Sequence, residues 1–224
     1  MSADPQALST VRLDSFYDLA VSGGLLMWPI GLCSVLALAW IVERSIRLRD
    51  QELGSVSQGR AILDALVAGG VPRALEACAQ RPSTLARILR AGLERATRPA
   101  PERDLAVEDA GSRELARLGA RLRPLAAVSA LAPLLGFLGT VFGMIQAFLN
   151  IALKDGLGRP ELLAAGISQA LVTTAAGLCV AIPAQAACFW FRARIDRFAQ
   201  RSEDLYLELD RALASAPDRV EATS

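Results

Sequence analysis

The alternation of apolar and charged positions divides the chain into blocks. Three stretches carry no Asp, Glu, Lys or Arg: Val21 to Val42, Pro124 to Leu153 and Leu162 to Phe191. Each exceeds the roughly 20 residues that a helix needs to cross the hydrocarbon core of a bilayer, so the pattern predicts transmembrane helices over 21–42, 124–153 and 162–191. Between the first two lies a polar insert, 43–123, whose apolar residues recur at helical spacing: Ile62, Leu63, Leu66 and Val67, then Leu75 and Cys78, then Leu85, Ile88, Leu89 and Leu93. "GGVP" and "RPS" break this run into short helices, and "RPAPER" (98–103) is expected to be a connector. Leu115, Leu118, Leu122 and Leu125 then repeat at three and four residues, which starts the helix of the second span well before the membrane, with Pro124 kinking it or marking its restart. From Phe198 to Leu213 the tail carries Leu205, Leu209 and Leu213 on one side and Glu203, Asp204, Glu208 and Asp210 on others, the pattern of a solvated helix packed on a bundle.

The fold class that follows is all-α: an integral membrane protein with three transmembrane helices, two of them long and extended into a cytoplasmic helical bundle. Composition agrees, since 53% of the 224 residues are hydrophobic, more than a soluble domain needs, and the formal net charge is only +1. Orientation comes from the arginines that flank the spans. Arg44, Arg47 and Arg49 follow the first, Arg113, Arg117, Arg121 and Arg123 precede the second, and Arg192, Arg194 and Arg197 follow the third, while the second hairpin carries only Lys154 and Arg159. This places an N-terminal segment, 1–20, and a short turn, 154–161, outside, and the insert 43–123 and the tail 192–224 in the cytoplasm. The first span is expected to remain as an anchor, because the acidic Asp4, Asp14 and Asp18 precede it in place of a basic leader.

Candidate chemistry is sparse. The four cysteines lack paired spacing and the chain has no histidine, so no metal site and no cofactor is expected. No phosphate-binding glycine loop and no basic run points to nucleotide or nucleic acid, and nothing offers an enzyme a place for its chemistry.

The second and third spans form a hairpin, so residues equally far from its turn lie at similar depth. Thr140, fourteen residues before Lys154, and Thr174, thirteen after Glu161, both fall roughly 20 Å from the outer end. The same counting pairs Gln146 with Gln169 and Pro133 with Pro183. Small residues run between them: Gly136, Gly139 and Gly143 on one helix, and Ala170, Thr173 and Gly177 on the other. Such stripes let backbones approach closely in lipid. The residues alone leave two uses open, a polar channel wall made by Thr140, Thr173, Thr174, Gln146 and Gln169, or plain packing through Gly136, Gly139, Gly143, Gly177, Pro133 and Pro183. Because the spans contain no Asp, Glu or His, any proton path needs its titrating group from another chain.

"SALAPLLGFLGTVFGMIQAF" and "GISQALVTTAAGLCVAIPAQ" resemble the second and third spans of the MotA/TolQ/ExbB proton-channel family, and "GGLLMWPIGLCSVLALAWIVERSIRL" resembles the first span of its ExbB branch. Three spans with the insert after the first also look like ExbB or TolQ and unlike the flagellar stator protein MotA. The resemblance implies an inner-membrane homo-oligomer, a pentamer, around single-span ExbD- or TolR-type partners whose membrane aspartate carries the proton. The assembly it implies converts proton-motive force into work on a TonB-type protein for energised outer-membrane transport, or on TolA in a TolQ-like role in envelope maintenance. Thr140 of "GTV" and Thr174 before "AAGL" match the family's channel-facing threonines. Two positions depart from the family: Gln169 stands where it often has glutamate, which removes a charge from the channel, and Cys188 and Phe189 replace tyrosine-asparagine after "IPA". A non-conducting membrane scaffold is the alternative.

Overall fold

The computed structural model describes residues 24–48, 53–153 and 160–215. Among these residues every regular element is a helix: α1 (Met27–Arg47), α2 (Val56–Gln80), α3 (Thr84–Leu93), α4 (Ala100–Ala120), α5 (Arg123–Leu153) and α6 (Pro160–Ala214). Three stretches, Met27–Ile46, Ala100–Ala152 and Leu163–Ala214, hold helices long and apolar enough to cross a membrane. The segment 1–20, most of the expected turn and the last residues of the tail lie outside the described residues.

The chain divides into two compact units, one of residues up to Ala39 together with Leu125–Ala186, the other of Trp40–Pro124 together with residues from Ala187 onward. In the first unit large apolar side chains face outward, among them Trp28 and Leu38 of α1, Phe137 and Phe148 of α5, and Leu171 and Ile182 of α6. So much contiguous apolar surface is stable only against lipid or other chains. The chain is an integral membrane protein.

Helix ends in the second unit follow local chemistry. Ser55 caps α2 by accepting a hydrogen bond from the Gln58 N–H at 3.2 Å, and Ser83 caps α3 by accepting from the Ala86 N–H at 3.1 Å. Inside α2 the chain leaves helical geometry at Gly69 and Gly70, and Gly70 takes φ of +69°, which a side chain resists. The expected connector over 98–103 is shorter than its sequence indicates. Proline fits the first helical turn, where its missing N–H is not needed, and Glu102 favours the positive helix start, so Pro101 and Glu102 lie within α4. At 121–122 the helical path is interrupted and α5 restarts, with Pro124 in its first turn.

The core of this unit gathers Ile62 and Leu66 of α2, Leu85, Ile88, Leu89 and Leu93 of α3, Val107 of α4, and Phe198, Leu205 and Leu209 of α6. Leu89 and Leu209 are fully buried; each such side chain contributes roughly 1.5–3 kcal/mol by leaving water. Polar ties add direction. Arg103 donates to Asp210 at 2.5 Å and to the Arg98 carbonyl at 2.8 Å, the Tyr206 hydroxyl donates to Asp104 at 2.7 Å, and Arg87 forks onto Glu114. Burial, helped by the Asp104 hydrogen bond, pushes the Tyr206 phenol above its ordinary range.

Candidate functional site

In the first unit α5 and α6 run antiparallel, and the glycines set how closely. A Cβ placed on Gly177 would lie 2.6 Å from the Ala132 carbonyl oxygen and 3.0 Å from the Gly136 Cα. One placed on Gly136 would lie 3.1 Å from the Thr174 Cα, one on Gly139 2.6 Å from the Thr173 methyl carbon, and one on Gly143 2.9 Å from the Ala170 Cβ. Backbone therefore meets backbone at Gly136 and Gly177. Van der Waals packing at this range is what holds helices together in lipid, where apolar burial gains nothing.

The contacts also fix the register. Gly143 faces Ala170, Gly139 faces Thr173, Gly136 faces Thr174, and Ser129 meets Gln185. This antiparallel series brings Thr140 level with Thr174 and Gln146 level with Gln169, within about one residue. Pro133 and Pro183 lie near the level of Ser129 and Gln185. Each proline lacks the N–H that would bond the carbonyl four residues back, which leaves the Ser129 and Cys179 carbonyls without their helical donors.

Depth and direction are separate matters, and the five polar candidates leave the seam in three directions. Thr173 is 1% exposed and sits in the seam itself, its hydroxyl donating to the Gln169 carbonyl of its own helix at 2.7 Å. Thr174 comes off one flank, its hydroxyl donating across the seam to the Gly136 carbonyl at 3.0 Å. That carbonyl is the one the Thr140 N–H reaches within α5, so Thr140 belongs to the same flank. Half-exposed, it donates its own hydroxyl to the Phe137 carbonyl at 2.6 Å.

The glutamines lie elsewhere. Gln169 is five residues from Thr174, about 140° around the helix at about 100° per residue. Its amide lies against Gly24, just before α1, where a Cβ would collide with its Nε2. Gly24 has φ of +73° as well, so both backbone and space call for glycine there. Exposed Gln146 is six residues from Thr140 and so about 120° around α5, away from the threonine flank.

Two residues that the sequence reasoning passed over complete the threonine flank. Ser129 contacts both the Ala126 carbonyl, at 2.8 Å, and the Gln185 carboxamide, at 2.6 Å. With one proton, it keeps both contacts by donating to the carbonyl and accepting from the amide NH2, the two ends of a carboxamide having the same shape. The signal was present: counting from the hairpin pairs 129 with 185 by the same rule that pairs 140 with 174. The flank thus carries hydroxyls, a carboxamide and the freed Ser129 carbonyl. Such groups hold water and relay hydrogen bonds, but they do not change charge near neutral pH.

Comparison with known proteins places most of the chain beside characterised sequences. A sequence profile described as the MotA/TolQ/ExbB proton channel family matches residues 80–204. A biopolymer transport protein ExbB-like 1 of Synechocystis sp. is 38% identical over 188 residues, covering 81% of this chain and 72% of that protein. The biopolymer transport protein exbB1 of Vibrio cholerae is 31% identical over 191 residues, covering 78% of each.

Proposed function

The chain belongs to the MotA/TolQ/ExbB proton channel family, and on that premise we propose that it is an ExbB-like inner-membrane subunit of a proton-driven motor. In this reading it forms a homo-oligomer, a pentamer, around single-span ExbD- or TolR-type partners and passes work to a TonB-type protein. Its N-terminus is periplasmic and its C-terminus cytoplasmic, as the flanking arginines indicate.

One observation carries the proposal. The flank bearing Thr140 and Thr174 is polar and free of Asp, Glu, Lys, Arg and His. A wall of that kind hydrates a path without trapping the proton, and it requires a carboxylate from another chain to titrate. Thr140 and Thr174 are the channel-lining pair, with Ser129 and Gln185 continuing their side. Gln146 and Gln169 serve the opposite flank, Gln169 by seating the start of α1, and Thr173 packs the seam.

Co-purification in mild detergent followed by mass spectrometry tests the partner: a single-span protein with one membrane aspartate is expected. Thr140→Val with Thr174→Val should reduce the energised process at least about tenfold, one proton-transfer barrier increment of about 1.4 kcal/mol, while the oligomer still purifies. Full activity of the double variant removes the channel role from these two residues.

A non-conducting scaffold is the second reading, favoured by the complete use of Gly136, Gly139, Gly143 and Gly177 in contacts within the chain. It expects Gly139→Leu to break assembly while the threonine variants behave as wild type.

A further inference from the structure

We propose that the Ser129 and Gln185 pair is a docking point for the single-span partner helix. It receives a neutral hydrogen-bond donor, an amide or hydroxyl side chain, set about eleven residues along that helix from the titrating carboxylate. The inference rests on the motor reading above and goes beyond it by assigning a second residue of the partner.

Ser129 precedes Thr140 by eleven residues, and Gln185 follows Thr174 by eleven. Eleven residues at about 100° each end about 20° beyond three full turns and rise about 16 Å. Both members of the pair therefore lie on the threonine flank, about 16 Å nearer the arginine-flanked end. Between the two levels, within about 40° of the threonines, come Pro133 and Gly136 of α5 and Leu178 and Ala181 of α6, whose side chains offer no hydrogen bond. The flank thus has two polar levels with an apolar step between them. A continuously wetted wall has no such step. A helix lying along the flank meets both levels with two residues of its own, because residues eleven apart on a helix share a face.

Gln185 is exposed, six residues before the end of the uncharged run at Phe191. A carboxamide there costs free energy unless both its ends are bonded. One end is: the Ser129 Oγ lies 2.6 Å from it, and because the Ser129 proton goes to the Ala126 carbonyl, the amide NH2 faces Ser129. The carboxamide oxygen is turned outward, and no other hydrogen bond to this side chain is made among the described residues. Pro133 also leaves the Ser129 main-chain carbonyl without its helical donor. Acceptors exceed donors at this level, two oxygens against the one spare amide N–H, so the complement is a donor. A neutral donor fits, because the spans supply no carboxylate to balance a lysine or arginine at this depth.

The test uses the complex as it purifies from the native membrane in mild detergent, with the partner identified by mass spectrometry. About ten to twelve positions from its membrane aspartate, toward the arginine-flanked end, the partner is expected to carry Asn, Gln, Ser or Thr; apolar residues throughout that window overturn the proposal. Gln185→Leu should lower the partner retained per copy of this chain about threefold to tenfold, the effect of one interhelical hydrogen bond in lipid, at an unchanged unfolding midpoint. Gln146→Leu, the same substitution at an exposed glutamine away from the threonine flank, should change retention less than about twofold. If Gln185→Leu does not assemble, Gln185→Met carries the same expectation. Full retention in the Gln185 variant, or an equal loss at Gln146, overturns the docking point and leaves the motor reading to the Thr140 and Thr174 variants. Lowered ion flux with full retention also overturns it and returns Gln185 to the channel wall. Recovery of no single-span protein overturns both readings.

Discussion

Gly177 and Leu89 both sit at fully closed helix contacts, yet they close them by opposite means. At Gly177 the neighbour is backbone, the Ala132 carbonyl, and the absence of a side chain is what makes the contact. At Leu89 the contact is the side chain itself, 0% exposed among Ile62, Leu66, Leu85 and Leu93. The difference follows from the surroundings. A unit whose outer surface is apolar gains nothing by moving leucine out of lipid, so its helices associate through shape and short-range dispersion. The charged second unit meets water, and there each buried leucine lowers the free energy of folding. Polar groups follow the same division: in the seam they bond carbonyls of their own or the facing helix, and in the second unit they pair as ions at the rim of the core.

The largest effect is expected where backbone is the neighbour. Gly177→Leu has no rotamer that avoids the Ala132 carbonyl and the Gly136 Cα, so α5 and α6 must part, and no monodisperse folded protein is expected by size-exclusion chromatography in detergent. Gly177→Ala should still purify but with stability lower by about 1–3 kcal/mol, the usual cost of overpacking. Normal stability of the alanine variant would show that the seam is looser than the contacts require. Leu89→Ala comes next, with an expected loss of about 2–5 kcal/mol from lost burial and the cavity left behind, measured by denaturant unfolding of the full chain in detergent.

The sequence carried these two packing modes unequally. The uncharged spans and the leucines of α3 and α6 were legible because hydrophobic periodicity reports burial directly, as at Leu85, Leu89, Leu205 and Leu209. Depth along the hairpin was legible too, since counting from the turn brings Thr140 level with Thr174. What counting cannot give is the direction in which a side chain leaves the seam. That depends on which face the glycines press together, and a few degrees per residue accumulate along helices as long as α5 and α6. Thr173 and Thr174 are neighbours in sequence, and only the contacts with Gly139 and Gly136 separate a seam residue from a flank residue. Counting groups Gln169 with the threonines because depth is the only coordinate it supplies. In the second unit, the two prolines of "RPAPER" give the start of α4 the look of a connector, although proline suits a first helical turn equally well.

The next effect is smaller and depends on pH. Burial raises the Cys78 thiol from its ordinary 9.0 to about 11, an effect the nearby Arg90 partly offsets. The folded state therefore holds its proton longer than the unfolded state does. The stabilisation from this group is complete below pH 9 and falls as pH rises from 9 to about 11, by about 1–3 kcal/mol in total. Tyr206, also raised, adds to the fall at still higher pH. Cys78→Ala should flatten the alkaline limb of the stability profile between pH 9 and 11, and an unchanged limb would mean that the thiol meets solvent. No comparable limb is expected from the seam, which contributes hydroxyls, amides and backbone.

The smallest effect is the sharpest test of the comparison, because it applies the substitution used at Gly177 and expects the opposite sign. Gly111 and Gly119 lie in α4, and a Cβ on either would meet nothing within 4 Å. Neither has a positive φ, so alanine fits the backbone each already adopts. Alanine there restricts the unfolded chain and favours the helix without touching a neighbour, which should raise stability by about 0.5–1 kcal/mol. Measured beside Gly177→Ala in the same detergent, Gly111→Ala separates two meanings of glycine in one chain, a contact surface in the seam and a helical weakness on an open face. If both substitutions destabilise, α4 is covered by a neighbour at Gly111, and its exposed face, including Leu105, is an interface between subunits.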